Sequence, residues 1–276
     1  MQTMAALCVR NMKAFARDRT SLIISLIFPF FFIYVFSAIF KNQFIENPIT
    51  YMLAGITIAT VFDFSLRISA STIDDMVSGF MKEVLVSPVS RLSVASGQFL
   101  SSAVISTAQG LIILTIGFFI GLRISSPGTV VIAIFAMIFV GLVCAGFGLF
   151  IASKTKSIRT FQVVTMAITM PMTFLSGAYI PLSLLPNELV IIAYFNPMTY
   201  AVALFRAIIL EKTSLPIAQL INEGLAFQIG NFTIAPFTAW LILLVFGAVF
   251  LALSTVSFIK TDFSRINRIK NDAIEW

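Results

Sequence analysis

Six long apolar runs dominate this sequence and limit what it can fold into. They cover about residues 21–40, 51–73, 98–122, 129–153, 160–180 and 236–259. Crossing a hydrocarbon core about 30 Å thick takes roughly 20 apolar residues in a helix, so each run is long enough to span a membrane. Of the 276 residues, 59% are hydrophobic and only 11% are charged. The sequence therefore predicts an all-α integral membrane protein: one domain over residues 1–276, with six transmembrane helices.

The basic residues orient these helices. With the N-terminus in the cytoplasm, most of the 18 Lys and Arg residues fall on the cytoplasmic side, in the segments before the first run, between the second and third, between the fourth and fifth, and after the sixth. Lys41, Arg123, Arg206 and Lys212 fall on the outer side. The positive-inside rule then predicts cytoplasmic termini. This distribution also explains the net charge of +6 without a nucleic-acid partner.

A further apolar stretch, residues 189–210, interrupts this scheme. If it crossed the membrane, the basic C-terminal tail would lie outside. Asn196-Pro197 stands in its middle, where proline removes a backbone donor and clashes with the preceding turn. The flanking pieces, Leu189 to Phe195 and Met198 to Leu210, are each too short to span a bilayer. The pattern favours two half-helices that enter from the outside and return.

The N-terminal segment places Met4, Leu7, Cys8, Met12 and Phe15 along one helical stripe. A helix of this kind suits the inner headgroup plane. The alternative is a solvated start to the first span.

Several classes of function are excluded by missing residues. The sequence contains no histidine, which removes the usual general base and the commonest metal ligand. It also contains no G-x-x-x-x-G-K-[ST] loop for cradling ATP phosphates. We therefore expect no enzymatic activity, no metal site and no cofactor in this chain.

Two charges lie inside the second run, where a charged side chain costs about 2.5–3.5 kcal/mol on the insertion scale. Asp63 and Arg67 are four residues apart on one helical face, which is close enough to pair. Either they line a polar path at the centre of a helix bundle, or they neutralise each other and only fix packing.

Residues 79–91, GFMKEVLVSPVSR, form a segment that is too short to span and too apolar for an ordinary loop. We call it the coupling segment. By the charge distribution it faces the cytoplasm, and Phe80 and Val84 stand one turn apart in a short amphipathic helix that ends at Ser87-Pro88. Apolar side chains exposed in this way invite a groove on a partner. The alternative is a helix lying on the membrane surface.

This segment, the following Gly97-Gln98, and the stretches LSGAYIPLSLLP and AYFNPMTYAVALFRAIIL together resemble the type-2 ABC exporter permeases. That family includes daunorubicin-type drug-resistance permeases, nodulation-factor and polysaccharide export permeases, and the G-subfamily exporters. The resemblance covers nearly the whole chain. It implies that the coupling segment docks on a separate ABC ATP-binding subunit, with Gly79, Leu85, Ser87, Pro88 and Arg91 at the matching positions.

The docking helix would also contain Phe80, Met81, Lys82, Glu83 and Val84. The charge order at Lys82 and Glu83 is the reverse of the usual family pattern.

The resemblance further implies a substrate path between two permease copies, lined by the second and fifth spans and closed by an outer gate. The candidate path residues are Asp63, Arg67, Thr165, Thr169, Thr173 and Phe174, and the candidate gate residues are Pro181, Asn196 and Pro197. We expect a homodimer with two ATPase subunits that carry the ATP and Mg²⁺, in the plasma membrane of a prokaryote and in contact with its lipids.

The expected activity is export of an amphipathic drug-like or lipid-like molecule. Lipid-linked glycan export and sodium efflux are alternatives within the family. An ion-coupled secondary transporter would need inverted repeats and several midplane ionisable residues, of which the sequence shows only Asp63 and Arg67. A non-transporting membrane anchor is the remaining alternative.

Overall fold

The structure is a computed structural model that describes residues 2–40, 47–78, 90–155, 157–213, 215–229 and 232–260. Within these ranges the α-helices are α1 (Gln2–Arg17), α2 (Arg19–Phe40), α3 (Pro48–Val77), α4 (Arg91–Ile120), α5 (Pro127–Lys154), α6 (Ile158–Leu175), α7 (Asn187–Tyr194), α8 (Pro197–Ile209), α9 (Ile217–Asn222) and α10 (Pro236–Lys260). A single 3₁₀ turn spans Leu182–Leu184, and two short strands, β1 (Phe227–Ile229) and β2 (Phe232–Ile234), precede α10.

Six of the helices are long and apolar enough to cross a membrane. They are α2, α3, α4, α5, α6 and α10, in the order that the apolar runs predict. The all-α architecture and the number of membrane-capable helices are confirmed. The strands pair antiparallel, with Phe227 opposite Ile234, and add a small hairpin to the segment before α10.

Serine and asparagine caps, in part followed by proline, explain where several helices begin. Ser90 and Ser157 accept hydrogen bonds from the backbone N–H groups of Ser93 and Thr160, each at 3.1 Å. Ser126 and Asn196 cap α5 and α8 and are each followed by a proline, which fits the first helical position because its missing N–H would have no intrahelical partner.

Helix α3 forms the centre of the bundle. It packs against α2, α4, α5, α6 and α8. Every residue from Tyr51 to Phe62 is buried, whereas Asp63, Phe64, Arg67 and Asp74 are exposed or half-buried. The half of α3 that follows the segment 41–47 is therefore enclosed on all sides, and the half that leads to the coupling segment has one open face.

Small residues let α5 approach α3 and α4 closely. A methyl group built on Gly148 would lie 2.4 Å from Ser69 Oγ, and one built on Gly141 would lie 2.8 Å from Ser106 Oγ. The Ser65 hydroxyl also donates to the Gly141 carbonyl at 2.6 Å. Glycine here allows backbones to come together where the membrane provides no hydrophobic force between helices.

The amphipathic stripe predicted for the N-terminus lies on the bundle. Leu7 and Cys8 are buried, Met4 and Phe15 are half-buried, and Met12 is exposed. A methyl group on Gly97 of α4 would lie 3.1 Å from Leu7 Cδ1, so α1 packs directly against α4.

The structure differs from the predicted fifth run at its outer end. Helix α6 ends at Leu175 instead of continuing to about residue 180. The Ser176 backbone N–H bonds to the Thr173 carbonyl, and Gly177 adopts a φ of +84°, which only glycine takes up without strain. The break predicted at Asn196-Pro197 is present, and the axes of α7 and α8 differ by 89°. These two helices do not form one straight span.

Candidate functional site

Most of the coupling segment, Gly79, Phe80, Met81, Lys82, Glu83, Val84, Leu85, Ser87 and Pro88, lies outside the described residues. Its last residue, Arg91, begins α4. The Arg91 guanidinium donates from Nη1 to the carbonyl oxygen of Ile259 at 2.5 Å. A cation at the C-terminal end of a helix is favoured by the exposed carbonyls there. Arg91 thus ties the end of this segment to the last turn of α10.

Four side chains form a connected group where α1, the end of α3 and the first turns of α4 meet. We call Arg10, Asn11, Asp75 and Gln98 the inner polar network. Arg10 Nη2 and Asp75 Oδ2 form an ion pair at 2.6 Å, and Gln98 Nε2 donates to the same oxygen at 3.3 Å.

Asn11 completes the inner polar network. Its Nδ2 donates to Gln98 Oε1 at 3.1 Å, and its Oδ1 accepts from Arg10 Nη2 at 2.9 Å. Asn11, Asp75 and Gln98 are buried. Buried polar side chains need partners, so these bonds fix α1 to the ends of α3 and α4 that flank the coupling segment.

The two charged path candidates lie on the open face of α3. Asp63 is half-buried and Arg67 is exposed, and no ion pair joins these two described residues. The two side chains nevertheless lie close enough to attract each other electrostatically. The polar path stays a prediction.

The fifth-span candidates divide into two groups. Thr165 and Thr173 are buried against the rest of the protomer. The Thr165 hydroxyl donates to the Phe161 carbonyl, and the Thr173 hydroxyl lies 3.7 Å from Met198 Sδ. Thr169 is half-buried. The outward surface of α6 is formed by other residues that the sequence analysis did not single out, Val163, Met166 and Met170.

An aromatic cluster lies beside the outer end of α6. The Phe174 ring lies 5.2 Å from the Tyr179 ring, and Tyr179 also contacts Phe32 and Phe36 of α2 at 4.8 and 6.0 Å. Phe174 thus joins α6 to α2 through Tyr179. This contact supports packing near the outer gate more than a surface for stacking substrate.

Asn196 connects the candidate outer gate to α6. Its Nδ2 donates to the Met172 carbonyl at 2.6 Å, and its Oδ1 accepts from the Met198 backbone N–H at 3.0 Å. Pro197 is the first residue of α8, and buried Pro181 precedes the 3₁₀ turn. One side chain therefore caps α8 and holds the last turn of α6.

Arg206 on α8 is the most unexpected residue of this region, because it is an arginine only 2% exposed. Its Nε donates to the Tyr51 carbonyl at 3.2 Å, and its Nη2 donates to the Gly177 carbonyl at 3.0 Å. Its Cζ lies 3.5 Å from the centroid of the Tyr51 ring, within the range of a cation–π interaction. We call Tyr51, Gly177 and Arg206 the outer clasp, since they join α3, α8 and the turn after α6.

Glu211 follows α8 and joins it to α5. It accepts hydrogen bonds on Oε1 from the backbone N–H groups of Ser125 and Ser126 at 3.1 and 3.0 Å, and from the Thr129 hydroxyl at 2.7 Å. These bonds hold the pKa of Glu211 below its usual range, with those from Thr129 and Ser125 contributing most. Glu211 keeps a positive φ of 56°, an uncommon conformation for a residue other than glycine.

Comparison with known proteins gives the family. The family model described as ABC-2 type transporter matches residues 2–210. The chain belongs to the ABC-2 transporter family. As members of that family are, it is a multi-pass permease subunit of an ABC transporter that works with an ABC ATP-binding subunit, and it is not itself the catalytic subunit.

Three relatives show how far the similarity of this ABC-2 permease extends. It is 25% identical over 256 residues to the putative transport permease ycf38 of Cyanophora paradoxa, covering 90% of this chain and 86% of that protein. It is 27% identical over 213 residues to the ycf38 protein of Pyropia yezoensis, covering 73% and 72%. It is 26% identical over 162 residues to the probable multidrug ABC transporter permease YbhR of Escherichia coli K12, covering 59% of this chain but 44% of that relative.

The Glu211 contacts give this ABC-2 permease a pH-dependent link on the surface beside α5. Because folding lowers the pKa of Glu211, its contribution to stability is present above its unfolded-state pKa and is lost as the pH falls through the lower folded-state value. We expect Glu211→Gln to lower the unfolding temperature at neutral pH, and this difference from the unmodified protein to vanish as the pH falls through the lowered folded-state pKa of Glu211. Detergent-solubilised protein heated at several pH values provides the measurement.

The control for Glu211 is Glu188→Gln, an exposed carboxyl in the first turn of α7. It should leave the unfolding temperature nearly unchanged at every pH. An equal effect of the two substitutions, or a Glu211→Gln difference that persists in acid, would show that the hydrogen-bonded carboxylate does not stabilise this junction.

Proposed function

We propose that this ABC-2 permease exports an amphipathic, drug-like or lipid-like substrate across the plasma membrane of a prokaryote, with both of its termini in the cytoplasm. ATP and Mg²⁺ are held by the separate ATPase subunits. The name of the Escherichia coli relative, a probable multidrug permease, supports a drug-like substrate, and the resemblance to exporters supports the outward direction. The observation that carries the proposal is the change in burial along α3.

Helix α3 changes from enclosed to open at Asp63, between a buried run ending at Phe62 and an open face that includes Arg67. The open half leads to the coupling segment and is therefore the cytoplasmic half in the proposed topology. The enclosed half is closed by α8, the outer clasp and the turn after α6. This arrangement supports an inward-facing state, in which a substrate reaches Asp63 from the cytoplasm and is stopped above it.

A second copy of the chain would complete the path. Exposed apolar side chains lie along both α2 and α6: Ile27, Phe28, Phe31, Val163, Met166 and Met170. We propose that two permeases meet through such faces, with Asp63, Arg67 and Thr169 directed to a common path, while Thr165 and Thr173 hold α6 in its protomer. α7 and α8 return to the outer side in this arrangement.

Two ATPase subunits would drive the change of state. ATP binding closes the ATPase dimer and moves the coupling segments, and the spans then shift to an outward-open arrangement. A switch of this kind needs a ligand that binds the two states with different free energies, and ATP on the ATPase subunit supplies that difference.

The coupling proposal is tested by Phe80→Asp in the permease co-purified with its ATPase and reconstituted in liposomes. A carboxylate on the apolar docking face should prevent burial against a protein groove. We expect normal membrane insertion, loss of the bound ATPase, and loss of vanadate-sensitive, ATP-dependent transport.

The matched control is Phe232→Asp, because Phe232 is 80% exposed in the outer hairpin and lies on the side away from the ATPase. It should transport normally. If Phe80→Asp retains its ATPase and transports as well as Phe232→Asp, the coupling proposal is wrong. Transport that follows an ion gradient without any ATPase would instead favour a secondary transporter, and a cysteine at Lys212 labelled only from the cytoplasm would exclude the proposed topology.

A further inference from the structure

A cavity of about 180 Å³ lies inside the protomer, and none of the candidate path residues lines it. It lies between α3, α5, α8 and α10, with the outer end of α6 at its edge. Its floor is formed by buried side chains: Phe62, Val140, Cys144, Met198, Ala201 and Leu243. We call this space the membrane cavity.

The membrane cavity has an apolar lining throughout. All twelve side chains around it are Phe, Val, Met, Leu, Ala, Pro or Cys. A buried water needs two to four polar partners, and an apolar cavity of about 150 Å³ stays dry and takes up benzene or xenon. The membrane cavity is therefore suited to a hydrocarbon group and not to water or a polar ligand.

The rim of the cavity is open to its surroundings. Phe147, Met172, Pro197, Phe246 and Phe250 line it and are half-buried, unlike the residues of the floor. Beside them, α10 exposes further apolar side chains, including Leu244, Val245 and Val249. The opening is thus continuous with an apolar face of a membrane-spanning helix.

The depth of the opening limits what can enter. Phe246 lies near the middle of α10 (Pro236–Lys260), and Phe147 lies well inside α5 (Pro127–Lys154). Both helices are long enough to cross the bilayer, so the rim lies at the level of the hydrocarbon core, where no lipid headgroup is found. The liquid next to the rim consists of acyl chains.

An empty membrane cavity would forfeit dispersion contacts along its wall. Lipid tails and the cavity wall are equally apolar, so moving an acyl chain from the bilayer into the cavity costs no hydrophobic free energy. Van der Waals packing then decides whether the chain binds there. We propose that the methyl-terminal part of a membrane phospholipid acyl chain binds in the membrane cavity.

A bound acyl chain would contact the first turns of α8. Pro197, Met198 and Ala201 belong to the first turns of α8, and the opposite wall belongs to α5 and α10. A bound chain therefore fills the space between a helix of the candidate outer gate and the helices packed beside it. This role holds whatever substrate the permease carries.

The test uses the chain in nanodiscs of phosphatidylcholine, doped with a phosphatidylcholine that carries a diazirine at the methyl end of one acyl chain. Irradiation followed by peptide mass spectrometry identifies the adducts. We expect adducts on buried Met198 and on Phe246, in addition to those on the exposed Phe118 of α4 and Phe135 of α5, which report the ordinary lipid shell. A diazirine next to the headgroup should label neither Met198 nor Phe246.

Ala201→Phe supplies the decisive comparison, because a large side chain on the floor occupies the space of the acyl chain. We expect it to abolish the Met198 adduct while labelling of Phe118 and Phe135 stays constant. Val140→Phe fills the cavity from α5 and is used if the first variant fails to insert. Unchanged Met198 labelling in an inserted filling variant, or absence of the Met198 adduct from the unmodified protein, would each overturn the proposal.

Discussion

Arg206→Leu is expected to abolish transport and to produce a large loss of stability. Leucine removes the donor that lies 3.0 Å from the buried Gly177 carbonyl, and an orphaned buried polar group costs about 1–3 kcal/mol. It also removes the second bond, at 3.2 Å, to the Tyr51 carbonyl, which lies inside α3, and the contact with the Tyr51 ring. Removal of a buried charge offsets part of this cost, so we expect a net loss of about 1–3 kcal/mol. Thermal unfolding of the protein in detergent, together with transport by the reconstituted complex, provides the measurement.

Two further variants test whether the hydrogen bonds of the outer clasp, and not only the positive charge of Arg206, are required. Arg206→Lys keeps the charge but replaces the planar fork by a single ammonium, so it should recover only part of the stability. Arg123→Leu removes an exposed arginine from the loop between α4 and α5 and should unfold and transport normally. If Arg206→Leu behaves like Arg123→Leu, the outer clasp does not hold the gate.

Gly55→Ala tests the outer clasp by a change in α3, which faces Arg206. Its methyl group would lie 2.5 Å from Arg206 Nη2 and 2.8 Å from the Ala178 carbonyl oxygen. Overpacking of this kind typically costs about 1–3 kcal/mol. Because Gly55→Ala displaces the guanidinium without removing it, we expect the same loss of transport in a milder form.

Asp75→Ala is expected to release the end of α3 from α1 and α4, while the Asn11–Gln98 bond still joins α1 to α4. It removes the oxygen that accepts from both Arg10 and Gln98. Because the Arg10 side chain is 36% exposed, solvent screens the pair, and we expect a loss of about 1–2 kcal/mol. The larger effect should be functional: ATP hydrolysis continues while the amount of substrate transported per ATP falls.

Asp74→Ala is the matched control for Asp75→Ala, because Asp74 is the preceding carboxylate on the same helix and is exposed. Asp74→Ala should leave the amount of substrate transported per ATP unchanged. Arg10→Ala should reproduce the effect of Asp75→Ala, and the double variant should be little worse than either one, since both single changes remove the same interaction. Additive effects, or equal effects of Asp74→Ala, would remove the inner polar network from the coupling mechanism.

The sequence predicts those features that depend on local chemistry. The bend between α7 and α8 follows from Asn196-Pro197, because proline removes a donor and asparagine caps the next helix. The apolar stripe of α1 was also visible, although Met12 remains exposed.

The features missed by the sequence analysis depend on contacts between distant parts of the chain. Arg206 reads as an ordinary basic residue near an outer loop, yet it is buried against Tyr51, which lies 155 positions earlier. Arg10 and Asp75 are 65 positions apart, and Asn11 and Gln98 are 87 apart. One signal was present for the inner polar network, since Asn11 interrupts the apolar stripe of α1.

Rotation about a helix axis was a second source of difference. Thr165 and Thr173 were selected as path residues by resemblance, but α6 turns both toward its own protomer. The preference of threonine for bonding the carbonyl one turn earlier is satisfied here by Phe161 for Thr165. Both faces of α6 carry polar and apolar residues, so the sequence of α6 alone does not show which face packs against the other helices.

The uneven enclosure of α3 has a mechanical consequence. Helix α3 is packed on all sides along its first turns, whereas one side of its last turns is not covered by the other helices that the structure describes. A displacement of α3 near Asp75 therefore moves its last turns easily. Its first turns can move only together with the helices that are packed around them. Hydrogen exchange should therefore divide this single helix into a slow stretch before Phe62 and a faster stretch after it, and only binding at its last turns should alter the faster stretch.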